Sequence, residues 1–403
     1  MIILVLNCGS SSIKYQVLKM ADTESENRLL AKGIVERIGL PVGKIEHKPT
    51  DKNNVDFNEP VKDHVEGINR ILGLLVSAEY GVLKNLDEIA AVGHRVAHGG
   101  EFFQKSVIID ADVESKIEQC VNLAPLHNPA NLMGINAIKN LMPKVPQVAC
   151  FDTSFHQTMP KHSYLYAIPY ELYEKDKIRR YGFHGTSHKF VAQKTCKNLG
   201  LDFENIKIIT CHLGGGASVA AIKNGKSVDT TMGFTPLEGL VMGTRSGDID
   251  AGIIFYLAEN KGLTIHQISD KLNKESGVWG ISDVSSDMRD LWKAADTGSE
   301  RAKIALDLFI YRVTKYVGAY AAAMNGVDLI VFTGGIGEND YGVREGVSKN
   351  LEFLGVDFDS EANYKLRAVD FRELTKSDSK VKVAVTATDE ELVIATDTKL
   401  LVQ

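Results

Sequence analysis

Two short turns rich in glycine could bind phosphate. The apolar run at residues 2–6 predicts a strand, a polar turn follows at 7–12, and a second strand resumes after it. The same order returns within residues 207–222, where the turn reads HLGGGAS. A turn of small residues exposes successive backbone N–H groups, and such groups bind anions. Two such turns could hold one polyphosphate, although glycine-rich hairpins are also common without a ligand.

Two arginines lie in surroundings that suit an anionic substrate. Arg95 follows a short apolar stretch in GHRVAHGG, and Arg245 lies in the glycine-flanked segment MGTRSGDID. A guanidinium group can bind a carboxylate or phosphate through two N–H groups, although an isolated arginine more often forms a surface salt bridge. His127, Asp152 and His184 also lie where apolar runs meet polar loops. Each has a structural explanation by itself, but loops on a rigid scaffold are where sites are assembled.

Familiar nucleotide-binding patterns are absent from the sequence. It contains no G-x-x-x-x-G-K-[ST] segment, which excludes the usual Walker arrangement. A third apolar run at 327–332 predicts a strand that ends in GGIGEN, and this segment lacks the spacing of a dinucleotide fingerprint. Phosphate binding therefore depends on the two turns.

The elements that must position these residues indicate an α/β protein. Residues 301–324 have apolar side chains at helical spacing, and the tail from Thr388 predicts a final helix with acids in its first turn. Strands and helices that alternate along a chain are typical of the α/β class. Residues 21–62 are polar and irregularly patterned, and we expect the segment VGKIEHKP within them to form a hairpin or a surface insertion.

The repeated strand-turn-strand unit predicts two similar domains in a chain of 403 residues. We expect an N-terminal acyl- and phosphate-binding domain at 1–152, to which a C-terminal helix at 386–403 returns. The nucleotide-binding domain is then 153–385.

Composition and charge narrow the class of protein. The net charge of -6 offers no basic surface for a nucleic acid, so none is expected as a partner. The five cysteines are odd in number and lack C-x-x-C spacing, which favours a reducing, cytoplasmic location over a disulfide framework. No apolar run reaches the roughly 18 residues of a membrane span, and the short run after Met1 does not fit a signal peptide.

Taken together, the motifs resemble the acetate kinase family over nearly the whole chain. They occur in the family's order: LNCGSSSIKY, GHRVAHGG, PLHNP, FDTSFH, YGFHGTSH, HLGGGAS, TPLEGLVMGTRSGDID, FTGGIGEN and TDEEL. The resemblance implies the superfamily of sugar kinases, heat-shock ATPases and actin. It also implies two duplicated ribonuclease-H-like domains, with mixed sheets flanked by helices and a cleft between them, in a protein that is typically a homodimer.

The resemblance implies roles for individual residues. The catalytic residues would be Arg95, Asp152, His184 and Arg245, and Mg²⁺, or alternatively Mn²⁺, would be associated with Asn7 and Glu390. The short-chain carboxylate would contact Arg95, Ala97, Leu126, His127, Phe183 and Pro236. ATP or ADP would contact Ser12, Lys14, His212, Leu213, Gly214, Gly215, Gly216, Gly334, Gly335, Ile336, Gly337 and Asn339. The resemblance assigns Gly334, Gly335 and Gly337, within GGIGEN, to a loop that contacts adenosine.

The chemistry of such a reaction suits these residue types. A carboxylate acceptor is already ionised at neutral pH, since such acids titrate near pH 4, so no general base is required. What remains is to hold two anions together and stabilise a loose transition state, which arginines, N–H donors and Mg²⁺ can do. Direct in-line transfer of the γ-phosphoryl group to acetate is therefore expected. A phosphorylated His184 is an alternative that needs one more step.

Two positions depart from the family pattern. Gly215 stands where the family has asparagine, so a side-chain contact to the nucleotide is missing. Ala97 replaces a valine of the acyl pocket, which leaves propionate as an alternative acceptor. A sugar or polyol kinase would need a carboxylate base, for which Asp152 is the candidate, whereas an actin-like filament or regulatory module would make no acyl phosphate.

Overall fold

The computed structural model describes residues 1–125 and 127–403, which divide into two compact units. The first comprises Met1–Gln157 and Asp389–Gln403, and the second comprises Thr158–Thr388. Each unit contains a mixed sheet flanked by helices, which confirms the α/β class. The compact units divide after Gln157 and Thr388. The domain boundaries expected after residues 152 and 385 stay a prediction.

Strands and helices alternate along both units. The strands are β1 (Ile2–Cys8), β2 (Ser12–Lys19), β3 (Arg28–Glu36), β4 (Lys44–Pro49), β5 (Val55–Phe57), β6 (Ile89–Val96), β7 (Val107–Ile108), β8 (Gln147–Phe151), β9 (Lys207–Leu213), β10 (Ala217–Lys223), β11 (Lys226–Thr230), β12 (Leu329–Thr333), β13 (Phe371–Glu373) and β14 (Lys382–Thr386). The helices are α1 (His64–Leu75), α2 (Ala111–Gln119), α3 (Asn128–Leu141), α4 (Lys161–Tyr164), α5 (Tyr170–Asp176), α6 (Gly185–Leu199), α7 (Gly252–Lys261), α8 (Ile265–Lys274), α9 (Gly277–Ser282), α10 (Met288–Asp296), α11 (Glu300–Ala323), α12 (Gly334–Asn339), α13 (Tyr341–Lys349), α14 (Ser360–Asn363) and α15 (Glu390–Val402).

The second sheet has six strands, and they follow the same order as the last six of the eight strands in the first sheet. The first has the order β5-β4-β3-β2-β1-β6-β8-β7 and the second has the order β11-β10-β9-β12-β14-β13. Strands β1, β6 and β8 are parallel, as are β9, β12 and β14, while the hairpin partners β2 and β10 are antiparallel to β1 and β9. The internal repeat predicted from the sequence is thereby confirmed as a duplicated fold.

The first strand is a continuous apolar run because both of its faces are covered. Leu4 and Leu6 pack in a cluster with residues of α1 and α3, whereas Ile3 and Val5 pack against Ile394 of α15. Helix α15 lies so close to β6 that a Cβ at Gly93 would lie 2.6 Å from Ile394. These contacts fix the strand ends of the first unit, where its site residues lie.

Several element predictions are confirmed and two are corrected. The helix expected at 301–324 is α11, and the final helix is α15, with Asp389 as its N-cap. Of the two alternatives for the segment within residues 21–62, the hairpin is confirmed, because β3, β4 and β5 pair antiparallel in the sheet, and the surface insertion is wrong. GGIGEN forms helix α12 where a loop was expected.

Two further observations concern the chain as a whole. Among the described helices, none combines the length and apolar character needed to cross a membrane. Cysteines 8, 120, 150, 196 and 211 are free and buried.

Candidate active site

Arg95 and Asp152 form an ion pair at one edge of the first sheet. Arg95 lies near the end of β6, and its register partner on the parallel strand β8 is Cys150, so Asp152 follows just beyond it. The Nε of Arg95 donates to Oδ1 of Asp152 at 2.9 Å, and Nη2 donates to Oδ2 at 2.6 Å. Such a two-point contact is stronger and more directional than a single ionic hydrogen bond.

The pairing leaves one edge of the Arg95 guanidinium for another anion. The side chain of Asp152 is only 4% exposed, whereas that of Arg95 is 29% exposed. The Asp152 carboxylate raises the pKa of Arg95 above its ordinary value, so the guanidinium stays charged. Sequence reasoning named both residues but missed the pair, because only the strand register brings together residues so far apart in sequence.

Glu390, the first residue of α15, lies beside this pair. Its Oε2 atom is 3.8 Å from Nε of Arg95. Burial raises the pKa of Glu390, although the charge of Arg95 opposes that shift, as does the charge of Lys14 to a smaller extent. Lys14 pairs with Asn7 across the β1–β2 hairpin. The structure therefore brings Asn7, Lys14, Arg95, Asp152 and Glu390 to the same edge of the first sheet.

The first turn is closed and supported by its neighbours. The N–H of Gly9 donates to the carbonyl oxygen of Ser12 at 2.8 Å. The carbonyl oxygen of Gly9 lies 2.7 Å from Nε2 of His64, near the start of α1. Ser12, which begins β2, is thus held at the base of the turn.

The residues expected around the acyl group in the first unit are only partly placed. Ala97 is half-buried, and His127 is exposed just before α3. Leu126 lies outside the described residues. Asn131 of α3, which sequence reasoning missed, accepts from the N–H of Ala97 at 3.0 Å and donates to the carbonyl oxygen of Cys8 at 2.8 Å.

A second cluster forms around the turn 214–216 in the second unit. A Cβ atom at Gly216 would lie 3.4 Å from Nη1 of Arg245 and 3.7 Å from Nε2 of His184. Arg245 is half-buried, and burial lowers its pKa. Its Nη1 donates to the carbonyl oxygen of Pro236 at 3.3 Å, and it forms no ion pair with any described residue. A half-buried cation that forms no ion pair with a described residue is suited to bind an external anion.

A network of hydrogen bonds orients the histidine of this cluster. His184 precedes α6 with a φ of 56°, an uncommon value for a residue other than glycine. Its Nδ1 lies 2.9 Å from Oγ of Ser218, and its ring stacks on His212 with centroids 4.2 Å apart. Nε2 of His188 lies 2.7 Å from the same Ser218 oxygen. His188 and Ser218 were missed, although His188 lies four residues after His184 within the motif YGFHGTSH.

The predicted nucleotide residues of the second unit adjoin one another in part. His212 and Leu213 end strand β9, and a Cβ at Gly214 would lie 4.0 Å from the nitrogen of Gly335. Gly335 and Gly215 are exposed, and a Cβ at either would meet nothing within 4 Å. The remaining members, Gly334, Ile336, Gly337 and Asn339, belong to α12. The N terminus of α12 therefore lies next to the turn.

The other predicted acyl residues also belong to the second unit. Phe183 is 4% exposed in the core, and Pro236 is half-buried. The six predicted acyl-binding residues are thus divided between the two units. Among the described residues, no group of three or more His, Cys, Asp or Glu side chains could hold a metal ion.

Comparison with known proteins gives one consistent result. Residues 2–396 match the model of the Acetokinase family. Acetate kinase 2 of Clostridium perfringens is 55% identical over 400 residues, which cover 99% of each chain. The crystal structure of Porphyromonas gingivalis acetate kinase superposes with a TM-score of 0.96 at 50% identity, covering 100% of both chains. That of a propionate kinase from Francisella tularensis gives 0.91 at 42% identity, covering 99% of both chains.

Proposed function

This chain belongs to the acetokinase family, and from that premise we propose that it transfers the γ-phosphoryl group of ATP reversibly to acetate. The observation that carries the proposal is the convergence of Arg245, His184 and Gly216 on one another in the second unit. The guanidinium forms no ion pair with a described residue, and the turn beside it consists of three glycines, a type of turn whose backbone N–H groups can bind an anion. That combination suits the charge of a phosphoryl group in transfer.

Transfer is proposed to be direct and in line. Acetate is ionised at neutral pH and needs no base, so the residues only bind, orient and stabilise charge. Arg245 and His184 would contact the transferred group, while the free edge of Arg95 would contact the acetate carboxylate. Asp152 would fix the plane of the Arg95 guanidinium through its two hydrogen bonds.

A sugar or polyol kinase fits the site less well. Its hydroxyl acceptor would need a carboxylate base, and both oxygens of Asp152 accept hydrogen bonds from Arg95. Both carboxylate oxygens are therefore already engaged, and neither is left to accept a proton from a hydroxyl substrate. This geometry favours an acceptor that is already an anion.

The oxygen atoms near the first turn suit Mg²⁺. This ion takes one or two protein oxygens together with substrate phosphates and water, and Asn7 and Glu390 supply an amide and a carboxylate at one sheet edge. We propose that these two residues hold it, directly or through water. When bound, the ion would neutralise phosphate charge during transfer.

Replacing Glu390 by glutamine should weaken the apparent affinity for Mg²⁺, so that more metal is needed for a half-maximal rate. Because burial raises the pKa of Glu390, its neutral form appears at higher pH than for an ordinary glutamate. The wild-type metal requirement should therefore rise as the pH falls into the mildly acidic range. Mg²⁺ titrations of the rate at several pH values measure both effects. Identical titrations for the two proteins would show that Glu390 does not hold the metal, and its role would then be that of an acid in the first turn of α15.

Propionate is a second candidate acceptor. Ala97 is half-buried two residues after Arg95, and one of the similar structures is a propionate kinase. One methylene in an apolar pocket changes kcat/KM by roughly 10- to 200-fold. Ala97→Val should therefore raise the acetate-to-propionate ratio of kcat/KM several-fold, chiefly through a higher KM for propionate. An unchanged ratio in a folded variant would place Ala97 outside the pocket.

The proposed reaction is tested by trapping the acyl phosphate product as a hydroxamate. Rates with ATP and Mg²⁺ should be measured for formate, acetate, propionate and butyrate, and acetate is expected to give the highest kcat/KM. A sugar kinase or a regulatory ATPase would form no hydroxamate with any of the four acids. Homodimer formation and a cytoplasmic location accompany the proposal, and light scattering should give twice the chain mass of 44.2 kDa.

A further inference from the structure

The segment that carries Arg245 is long and irregular. Residues 231–251 connect β11 to α7 without a helix or strand of their own. Yet Leu240 and Met242 within it are fully buried. Irregular connections longer than about 12–15 residues are uncommon in compact domains and are usually functional. Something other than secondary structure must therefore hold this segment in place.

Asp248 closes the segment into a loop around Arg245. The N–H of Asp248 donates to the carbonyl oxygen of Gly239 at 3.0 Å, and the N–H of Gly239 donates to Oδ1 of Asp248 at 2.8 Å. Gly239 has a φ of 105°, a conformation that side chains rarely adopt, so the closure depends on glycine there. The other carboxylate oxygen, Oδ2, accepts from the hydroxyl of Tyr316. We call Gly239, Asp248 and Tyr316 the loop clasp.

The clasp ties the loop to a rigid element. Tyr316 belongs to α11, a helix of 24 residues that packs against β9 and β10. Strands β9 and β10 flank the turn 214–216. The same sheet thus supports the phosphate turn and, through α11, the clasp.

The middle of the loop contacts the phosphate turn directly. The N–H of Gly243 donates to the carbonyl oxygen of Gly215 at 3.2 Å. On its other side, the loop pairs with residues 272–278, where Ser246 donates to Leu272 at 2.9 Å and Ser276 donates to Thr244 at 3.0 Å. Arg245 lies between these contacts. Its backbone position is therefore fixed relative to the turn by hydrogen bonds of the loop.

We propose that Tyr316 and Asp248 are positioning residues for Arg245. The inference rests on the proposed role of Arg245 in phosphoryl transfer. Arg245 forms no ion pair with a described residue that would orient its guanidinium. The orientation of this group therefore depends on the loop backbone, to which Nη1 donates a hydrogen bond at Pro236. Asp248 is not itself suited to catalysis, because both its oxygens accept hydrogen bonds within the clasp. Small displacements of a catalytic group lower rates steeply.

Tyr316→Phe tests the inference, because it removes only the hydroxyl that reaches Asp248. We expect kcat to fall about tenfold, while the KM for ATP stays within about twofold. Tyr320→Phe is the matched control: it lies one turn along α11, and its hydroxyl bonds Asp229 of β11 instead of the loop. Both variants lose one hydrogen bond to a carboxylate and should lose similar thermal stability, but only Tyr316→Phe should lower kcat.

A double-mutant cycle separates positioning from general damage. In an Arg245→Ala background, Tyr316→Phe should lower kcat by less than about twofold, because the group that it positions is already gone. Asp248→Asn is a second variant, expected to lower kcat in the wild type and to have little effect in the Arg245→Ala background. An equal loss in both backgrounds would overturn the inference, and so would a wild-type kcat for Tyr316→Phe.

The cycle also distinguishes this inference from the proposed function. An Arg245→Ala enzyme with a wild-type rate would overturn the role of Arg245 and the inference together. A slow Arg245→Ala enzyme beside a fast Tyr316→Phe enzyme would overturn the inference alone.

Discussion

Replacing Arg245 by alanine is expected to lower kcat at least about a hundredfold and to change the KM for ATP little. The half-buried guanidinium lies beside the turn 214–216 and has no ion-pair partner among the described residues. Its charge is therefore available for the equatorial oxygens of the transferred group, over which charge is spread in the transition state. Steady-state rates with ATP and acetate, and with ADP and acetyl phosphate in the reverse direction, check this expectation.

Two controls separate charge from shape in this experiment. Arg245→Lys keeps a cation but loses the planar fork, so it should recover only part of the rate. Guanidine added to Arg245→Ala should restore some activity if the missing group acts at a defined position. A variant within about fivefold of wild type would remove Arg245 from the mechanism.

The strand-turn-strand units could be predicted from the sequence because their buried strands appear as continuous apolar runs. Strand β1 has helices on both faces, so its side chains form one apolar run, and β9 repeats that pattern before its glycine turn. The final helix could be predicted equally well, because its N-cap Asp389 is a residue type typical of helix starts. In the structure, Asp389 accepts from the N–H of Leu392 at 3.0 Å. Local patterns of this kind need no knowledge of the rest of the chain.

Contacts between segments that are distant in sequence produce no such local pattern, so they could not be predicted. The Arg95–Asp152 pair follows from the register of β6 on β8, and the clasp of Asp248 by Tyr316 follows from the packing of α11. Neither register nor packing can be read from spacing.

The glycine-rich segment GGIGEN was predicted as a loop for a related reason. It forms α12 because the carboxylate of Glu338 accepts from the N–H groups of Gly334 at 3.0 Å and of Thr388 at 3.1 Å. Glycine is a poor helix former, and here a side chain four residues on compensates by satisfying the first N–H group. The partner Thr388 lies too far along the chain for a local pattern to include it.

Replacing Arg95 by alanine is expected to have the largest effect on the stability of the first unit. The variant would leave the carboxylate of Asp152 buried without its cation, and its side chain is only 4% exposed. Removing one partner of a fully buried ion pair costs about 3–5 kcal/mol, so about 2–4 kcal/mol is expected here, because Arg95 itself is 29% exposed. Urea unfolding followed by a probe in the first unit measures the loss.

The double variant Arg95→Ala with Asp152→Asn identifies the cause of that loss. Asparagine has nearly the same shape as aspartate but no charge, so the double variant should regain part of the stability that Arg95→Ala alone loses. Catalysis should not recover with it, because the acetate carboxylate still lacks its cation, and the KM for acetate should stay at least about tenfold above wild type. Stability recovered without activity would separate the two roles of Arg95, as the partner of Asp152 and as the proposed ligand of the acceptor. If the double variant is instead less stable than Arg95→Ala, the buried charge of Asp152 is not what destabilises the single variant, and lost packing of the Arg95 side chain must account for it.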